Sequence, residues 1–178
     1  MPSRNGKATL TKLKTEEASM TGPAIHELDT TLQQANNWLK EVMQRLGTED
    51  AHTGHAAMRV TLHALRDRIG PENAVHLGAQ LPTVIRGIYY DNWHPSGTPT
   101  KERHKQQFLD HVRKELRTGT PIDPEAAIGA VFEVVSEKTA EGEAVKLARL
   151  FPKDLRDLWP ADVRAEADQQ EREEQEGA

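Results

Sequence analysis

The chain of 178 residues contains no cysteine, which excludes a disulfide framework and a thiolate metal site. Its formal net charge of −5 resides in the C-terminal tail, because the rest of the chain carries equal numbers of basic and acidic residues. A neutral body argues against a dedicated nucleic-acid-binding protein, which needs a basic face. No apolar run approaches the roughly 20 residues that span a membrane, and the N-terminus lacks the apolar stretch of a secretory signal, so we expect a cytoplasmic protein.

The first half of the chain predicts one long helix and three shorter ones. Residues 1–20 are polar and without periodicity, and we expect them to be disordered. A helix is predicted to begin near Thr21-Gly22-Pro23 and to end at Gly47, because apolar residues recur between them at steps of three and four. A second helix is predicted over about 54–69. Gly70-Pro71 then breaks the chain, and shorter helices follow to about residue 90.

The second half repeats this plan. A basic helix is predicted over 101–117, and Asp123-Pro124-Glu125 is a strong start signal for the next one. The run 126–135 is rich in valine and could pass for a strand, but its alignment with the earlier helix favours a helix. Short helices are expected at about 141–149 and 152–158. The acidic tail has almost no apolar face, so we expect a frayed helix or disorder that can be removed from about Asp168 onward with little loss of stability.

An internal duplication underlies the repeated plan. Residues 38–89 align without a gap with residues 108–159, a shift of about 70 residues, and roughly a fifth of the aligned positions are identical. The predicted fold is all-α, with two tandem, internally duplicated four-helix units stacked into one helical bundle and the second helix of each unit most buried. The predicted organisation is a disordered segment 1–20, repeat unit 1 over 21–90, a connecting loop 91–100, repeat unit 2 over 101–159, and an acidic tail 160–178.

The stretch from about residue 31 to 159 resembles a known bacterial family. The resemblance is carried by the segments Trp38-Leu39-Lys40, Leu62-His63-Ala64-Leu65-Arg66-Asp67-Arg68, Gln80-Leu81-Pro82, Arg86 to Gly97 and Phe151-Pro152-Lys153-Asp154-Leu155-Arg156. These segments resemble the family catalogued as domain of unknown function 2267. The resemblance implies an all-helical, soluble protein and brings no established activity or cofactor with it.

The connection between the two units is the candidate binding surface. Tyr90 and Trp93 lie in a short aromatic segment before a loop rich in Pro and Gly, and basic residues follow. Tyr and Trp suit binding surfaces, but the same residues can instead attach the loop to the bundle. We interpret the chain as a non-enzymatic interaction or scaffold protein whose partner is another protein. The candidate binding residues are Tyr90, Trp93, His94, Lys101, Arg103 and Lys105.

Two other functions stay open at this point. A small metal-dependent enzyme or metal-binding protein could use His94, His104 and Asp91, although no helical metal motif is present and no cofactor is predicted. A weak nucleic-acid binder could use the basic helix 101–117, whose excess of positive charge could also meet phosphate or the acidic tail of the chain itself. The oligomeric state does not follow from the sequence.

Overall fold

The computed structural model of the chain describes residues 23–116 and 122–177, and these are helical with no strand. The fold class is therefore all-α, as predicted, and the segment 1–20 lies outside the described residues. The elements are α1 (Pro23–Leu46), α2 (Ala51–Ile69), α3 (Pro71–Gln80), α4 (Thr83–Tyr90), a 3-10 turn (Pro95–Gly97), α5 (Lys105–Glu115), α6 (Pro124–Lys138), α7 (Glu143–Arg149), a 3-10 helix (Lys153–Leu158) and α8 (Ala161–Glu176).

Aspartate caps begin both central helices. Asp123 accepts a hydrogen bond from the amide of Ala126 at 2.9 Å, and Pro124 takes the first helical position, so α6 begins where its start signal predicts. Because α6 continues to Lys138, the helix interpretation of the valine-rich run is confirmed. Asp50 caps α2 in the same way through the amides of His52 and Thr53, which places the start of α2 three residues earlier than predicted.

The basic helix is shorter than predicted. It begins at Lys105 rather than at residue 101, because the side chain of Gln107 accepts hydrogen bonds from the amides of Arg103 and His104 at 3.1 and 3.2 Å. These bonds satisfy amides at the helix start that would otherwise lack a partner. Lys101 and Arg103 therefore precede α5 in a segment without regular secondary structure, and Arg117 lies outside the described residues.

The helices α2 and α6 form the centre of the bundle. They pack against each other, and α1 and α5 each pack against both of them. Leu62 of α2 and Phe132 of α6 are fully buried, as expected for the second helix of each unit. Phe132 stacks on Trp159 with 4.2 Å between ring centroids, and Phe151 lies edge-on to both rings. Whether the two halves superpose as copies stays a prediction, as do the unit boundaries.

The acidic tail forms a docked helix, so the expectation of a frayed or disordered tail is wrong. Whether residues from Asp168 onward can be removed with little loss of stability stays a prediction, and the following contacts argue against it. The helix α8 packs on α7 and buries Val163 and Ala167. Arg156, only 4% exposed, donates hydrogen bonds to Asp168 at 2.8 Å and to Glu171 at 2.5 and 2.8 Å. A second arginine, Arg149, pairs with Glu174. The carboxylates of the tail thus meet arginines near α7 rather than the basic residues of α5.

Candidate functional site

The aromatic segment closes against α3. Tyr89 is fully buried, burial raises the pKa of its hydroxyl, and this hydroxyl donates to the carbonyl oxygen of Ala74 at 3.0 Å. Tyr90 is half-buried, and its ring stacks on Trp93 with 5.4 Å between centroids. A Cβ atom added to Gly78 would lie 2.0 Å from the Tyr90 hydroxyl oxygen, so only glycine at this position of α3 lets the ring lie where it does.

A buried arginine fixes the turn that carries these aromatics. Arg66 of α2 is 3% exposed and forms a two-point contact with Asp67, at 2.7 and 3.1 Å. It also donates to the carbonyl oxygens of Tyr89 at 2.6 Å and Asp91 at 3.1 Å, and its guanidinium lies 5.8 Å from the Trp93 ring centroid. Because Arg66 satisfies carbonyls at the end of α4 and contacts the indole, it holds the turn in one conformation. Sequence reasoning missed this role, since Arg66 looked like one of several charges on α2.

A polar cleft lies beside this arginine, between α2 and α5. It has a volume of about 290 Å³ and includes Arg59, His63, Asn92 and His111 among its lining residues. His63 Nε2 lies 2.7 Å from the carbonyl oxygen of Ile88, and burial lowers the pKa of the imidazole. His63 is therefore neutral at pH 7, donates through Nε2 and keeps Nδ1 as an acceptor. His111 pairs with Glu102 at 2.8 Å, so the cleft mixes donors and acceptors rather than presenting one charge.

A second, more open groove follows the connection between the two halves of the chain. Its volume is about 710 Å³, and its walls are the loop residues 96–100, the side chains of Arg68, Lys101 and Arg103, and Pro152. Arg68 donates to the carbonyl oxygen of Thr100, which ties the loop to the end of α2. Within the part of the chain that the structure describes, the lining contains three cationic side chains and no carboxylate. We call this surface the cationic groove.

The predicted site residues divide among four places. Tyr90 and Trp93 pack into the turn, and the Trp93 indole nitrogen is buried with no hydrogen-bond partner among the described residues. Lys101 and Arg103 line the cationic groove. His94 is exposed at the start of the 3-10 turn. Lys105 points elsewhere, because its ammonium group pairs with Glu125 at 2.5 Å. The structure therefore brings two of the six residues together on an open surface and adds Arg68 to them.

The basic helix does not present a continuous basic face. Lys105 pairs with Glu125, and Arg113 pairs with Asp110 in the preceding turn of α5. Of the positive charges predicted for this helix, two lie ahead of it in the cationic groove and two are offset by nearby carboxylates. Nucleic-acid binding through one long basic helix is not what this geometry favours.

The residues of the metal hypothesis are not brought together. His104 faces Asp154 at 3.5 Å, whereas the Asp91 carboxylate accepts a hydrogen bond from Asn92 at 3.2 Å. Across residues 23–116 and 122–177, no three His, Asp or Glu side chains are grouped so that they could hold a metal ion. The helices of the same ranges include none that is long and apolar enough to cross a membrane.

The chain belongs to the family described as "Uncharacterized conserved protein (DUF2267)", which matches residues 35–158. The matched region covers the second half of α1, the whole turn and cationic groove, and the helices up to the 3-10 helix before α8. No curated protein matches the chain. Family membership thus agrees with the resemblance found in the sequence, and it assigns no activity.

Proposed function

We propose that this member of the DUF2267 family is a non-enzymatic interaction protein of the bacterial cytoplasm that binds an acidic or phosphorylated segment of another protein in the cationic groove. The observation that carries this proposal is the groove itself, where Arg68, Lys101 and Arg103 converge on one open surface without a lining carboxylate among the described residues. The absence of cysteine suits a reducing compartment.

The chemistry of the groove favours a short anionic segment. Guanidinium groups bind carboxylates and phosphates through two parallel hydrogen bonds, and lysine adds a point charge. Lys101 and Arg103 are exposed, so both can reach a bound chain without a rearrangement of the bundle. Arg68 is half-buried and already held by Thr100, so it offers a fixed charge at the floor of the groove. Such an interface is expected to be salt-sensitive, because exposed charges are screened.

Under this proposal the aromatic turn supports the groove rather than contacting the partner. Tyr90 and Trp93 stack on each other, the guanidinium of Arg66 lies over the Trp93 ring, and the loop that follows forms one wall of the groove. A rigid wall lowers the entropy lost when a partner binds. The contacts to the partner are therefore assigned to Lys101 and Arg103, and the aromatic pair is assigned to loop position.

The proposal can be tested with a peptide array that contains acidic, phosphorylated, neutral and basic sequences. The array is probed with wild-type protein and with the Lys101→Glu, Arg103→Glu variant, and positive peptides are measured by fluorescence anisotropy. We expect acidic or phosphorylated peptides to bind and the double variant to weaken them about tenfold or more, since each exposed ion pair contributes about 0.5–1 kcal/mol.

A matched control separates the groove from the overall charge. Lys40→Glu, Lys146→Glu changes the net charge equally at two exposed positions outside the groove, and it should leave peptide binding nearly unchanged. Equal loss in both double variants would contradict the proposal, as would an array without acidic or phosphorylated peptides among its positives. Labelled duplex DNA serves as a further probe, and DNA binding with a steep salt dependence would favour the nucleic-acid alternative instead.

A further inference from the structure

Two helices that the 70-residue alignment pairs with each other have very different outer faces. The alignment places α3 on α7, and both bury their inner residues to a similar extent. Their outer valines differ: Val75 of α3 is 56% exposed, whereas Val145 of α7 is only 5% exposed. The exposure of the two valines differs because α8 packs on α7. No helix in the described ranges covers α3 in the same way.

The covered face shows what chemistry such a surface binds. The helix α8 brings two small apolar residues to α7, Val163 and Ala167, spaced by one helical turn. It then brings two carboxylates, Asp168 and Glu171, to the guanidinium of Arg156. The contact therefore combines a narrow apolar seam with a charge-assisted anchor at one end.

The uncovered face offers similar kinds of residue. Val75 and Ala79 of α3 are exposed one turn apart, and the half-buried ring of Tyr90 borders them across Gly78. Arg86 is the residue that the alignment places on Arg156. Arg86 and Tyr90 are four residues apart in α4, so the two side chains lie one turn apart on the same face of that helix. No carboxylate within residues 23–116 or 122–177 lies within ion-pair distance of Arg86.

We propose that the outer face of α3, formed by Val75, Ala79, Tyr90 and Arg86, docks an acidic amphipathic helix of a partner protein. The helix presents small apolar residues four apart to Val75 and Ala79, and carboxylates one turn further on to Arg86. The chain's own α8 already contacts Arg156, so it does not occupy the outer face of α3. Glu72 lies on the same face at the other end of α3, which orients the acidic end of the partner toward Arg86.

The test uses a fluorescein-labelled peptide with the sequence of residues 160–177, which has the required chemistry, and the full-length protein with its own α8 in place. We expect the peptide to bind wild-type protein and to lose about tenfold in affinity with Arg86→Glu or with Val75→Asp. A peptide carrying Asp168→Lys and Glu171→Lys should bind Arg86→Glu better than wild type. Such a charge-swap rescue is independent of any effect of Arg86→Glu on folding, because it requires a folded site.

One control and three outcomes decide the proposal. Lys40→Glu changes the charge equally on α1 and should leave the peptide affinity unchanged. Absence of peptide binding overturns the proposal. Binding that depends on Arg156 and not on Arg86 also overturns it, because the peptide would then replace α8 at its own site. Dimerisation of the wild-type protein that Arg86→Glu abolishes overturns it as well, since the occupant would then be a second copy. The face is separate from the cationic groove, so each can fail without the other.

Discussion

Replacing Arg156 with methionine removes the guanidinium that holds α8 on α7 while keeping most of the apolar side-chain length. The guanidinium contacts Asp168 and Glu171, and it also donates to the carbonyl oxygen of Phe151 at 3.1 Å. Hydrogen bonds to charged groups contribute about 1.5–3 kcal/mol each, and the two carboxylates are 39% and 25% exposed, so the upper end does not apply. We expect Arg156→Met to lower the free energy of unfolding by about 2–4 kcal/mol.

The measurement is urea denaturation followed by circular dichroism and tryptophan fluorescence. A loss of this size corresponds to a decrease in Tm of about 5–15 °C for a chain of this length. Arg164→Met is the matched control, because Arg164 and Asp157 form an ion pair in which both side chains are exposed. The control should change the free energy of unfolding by about 0.5 kcal/mol or less.

A double-mutant cycle assigns the loss to the ion pair. Arg156→Met, Glu171→Gln and the double variant should give a coupling energy of about 1–3 kcal/mol, because the side chains contact each other directly. If Arg156→Met changes stability no more than the exposed control, or if the coupling energy is near zero, α8 is held by Val163, Ala167 and the Arg149–Glu174 pair without Arg156, and the reasoning fails.

Three further predictions follow from the same structure. The hydrogen bond from Arg156 lowers the pKa of Glu171 below its ordinary 4.5. The stability difference between wild type and Glu171→Gln should therefore be full above about pH 4.5 and disappear as the pH falls through the lowered pKa of Glu171 in the folded protein. Urea denaturation at several pH values measures this difference. Phe132→Ala and Leu62→Ala should lower the free energy of unfolding by about 3–5 and 2–5 kcal/mol, and a loss below about 1 kcal/mol in urea denaturation at both would contradict the central position of α2 and α6. Gly78→Ala should cost about 1–3 kcal/mol because its Cβ displaces Tyr90, and combining it with Tyr90→Ala should cost less than the sum of the two separate losses in thermal melts.

The start of α6 illustrates what the sequence predicts well. Aspartate, proline and glutamate stand in successive positions that each favour a helix start, and the structure begins α6 at Pro124. Such signals are local, because the cap and the amide that it satisfies lie within three residues of each other. The same holds for the end of α2, which Gly70-Pro71 predicts and which lies at Ile69.

The start of α5 shows where local signals mislead. Basic residues continue the helical composition back to residue 101, but His104 caps the helix and Gln107 satisfies the amides ahead of it. Histidine is not among the usual N-cap residues, so the sequence carries no clear stop there. The consequence concerns function, because Lys101 and Arg103 lie in the groove instead of on a helix face.

The role of α8 could not be predicted because it depends on a distant residue. Its own sequence has only two buried apolar residues, which is too few to predict docking from amphipathicity. The remaining stabilisation comes from the ion pairs of Arg149 and Arg156, and the sequence does not identify their partners in α8. Arg66 was missed for the same reason, and Arg66 and Arg156 both satisfy backbone carbonyls that only the folded chain brings near them.

The neutral charge of the body conceals how its charges are placed. Several carboxylates form ion pairs away from the groove. Glu133 and Glu137 pair with Arg45, and Glu41 pairs with Lys138. Three cations therefore line the groove even though the sums are equal, and Glu102, which lies between two of them in the sequence, pairs with His111. Three cations at one groove match a single acidic or phosphorylated cluster, whereas proteins that bind duplex DNA tightly neutralise about 6–10 phosphates. The distribution of charge, more than its total, is what favours a protein partner over a nucleic acid.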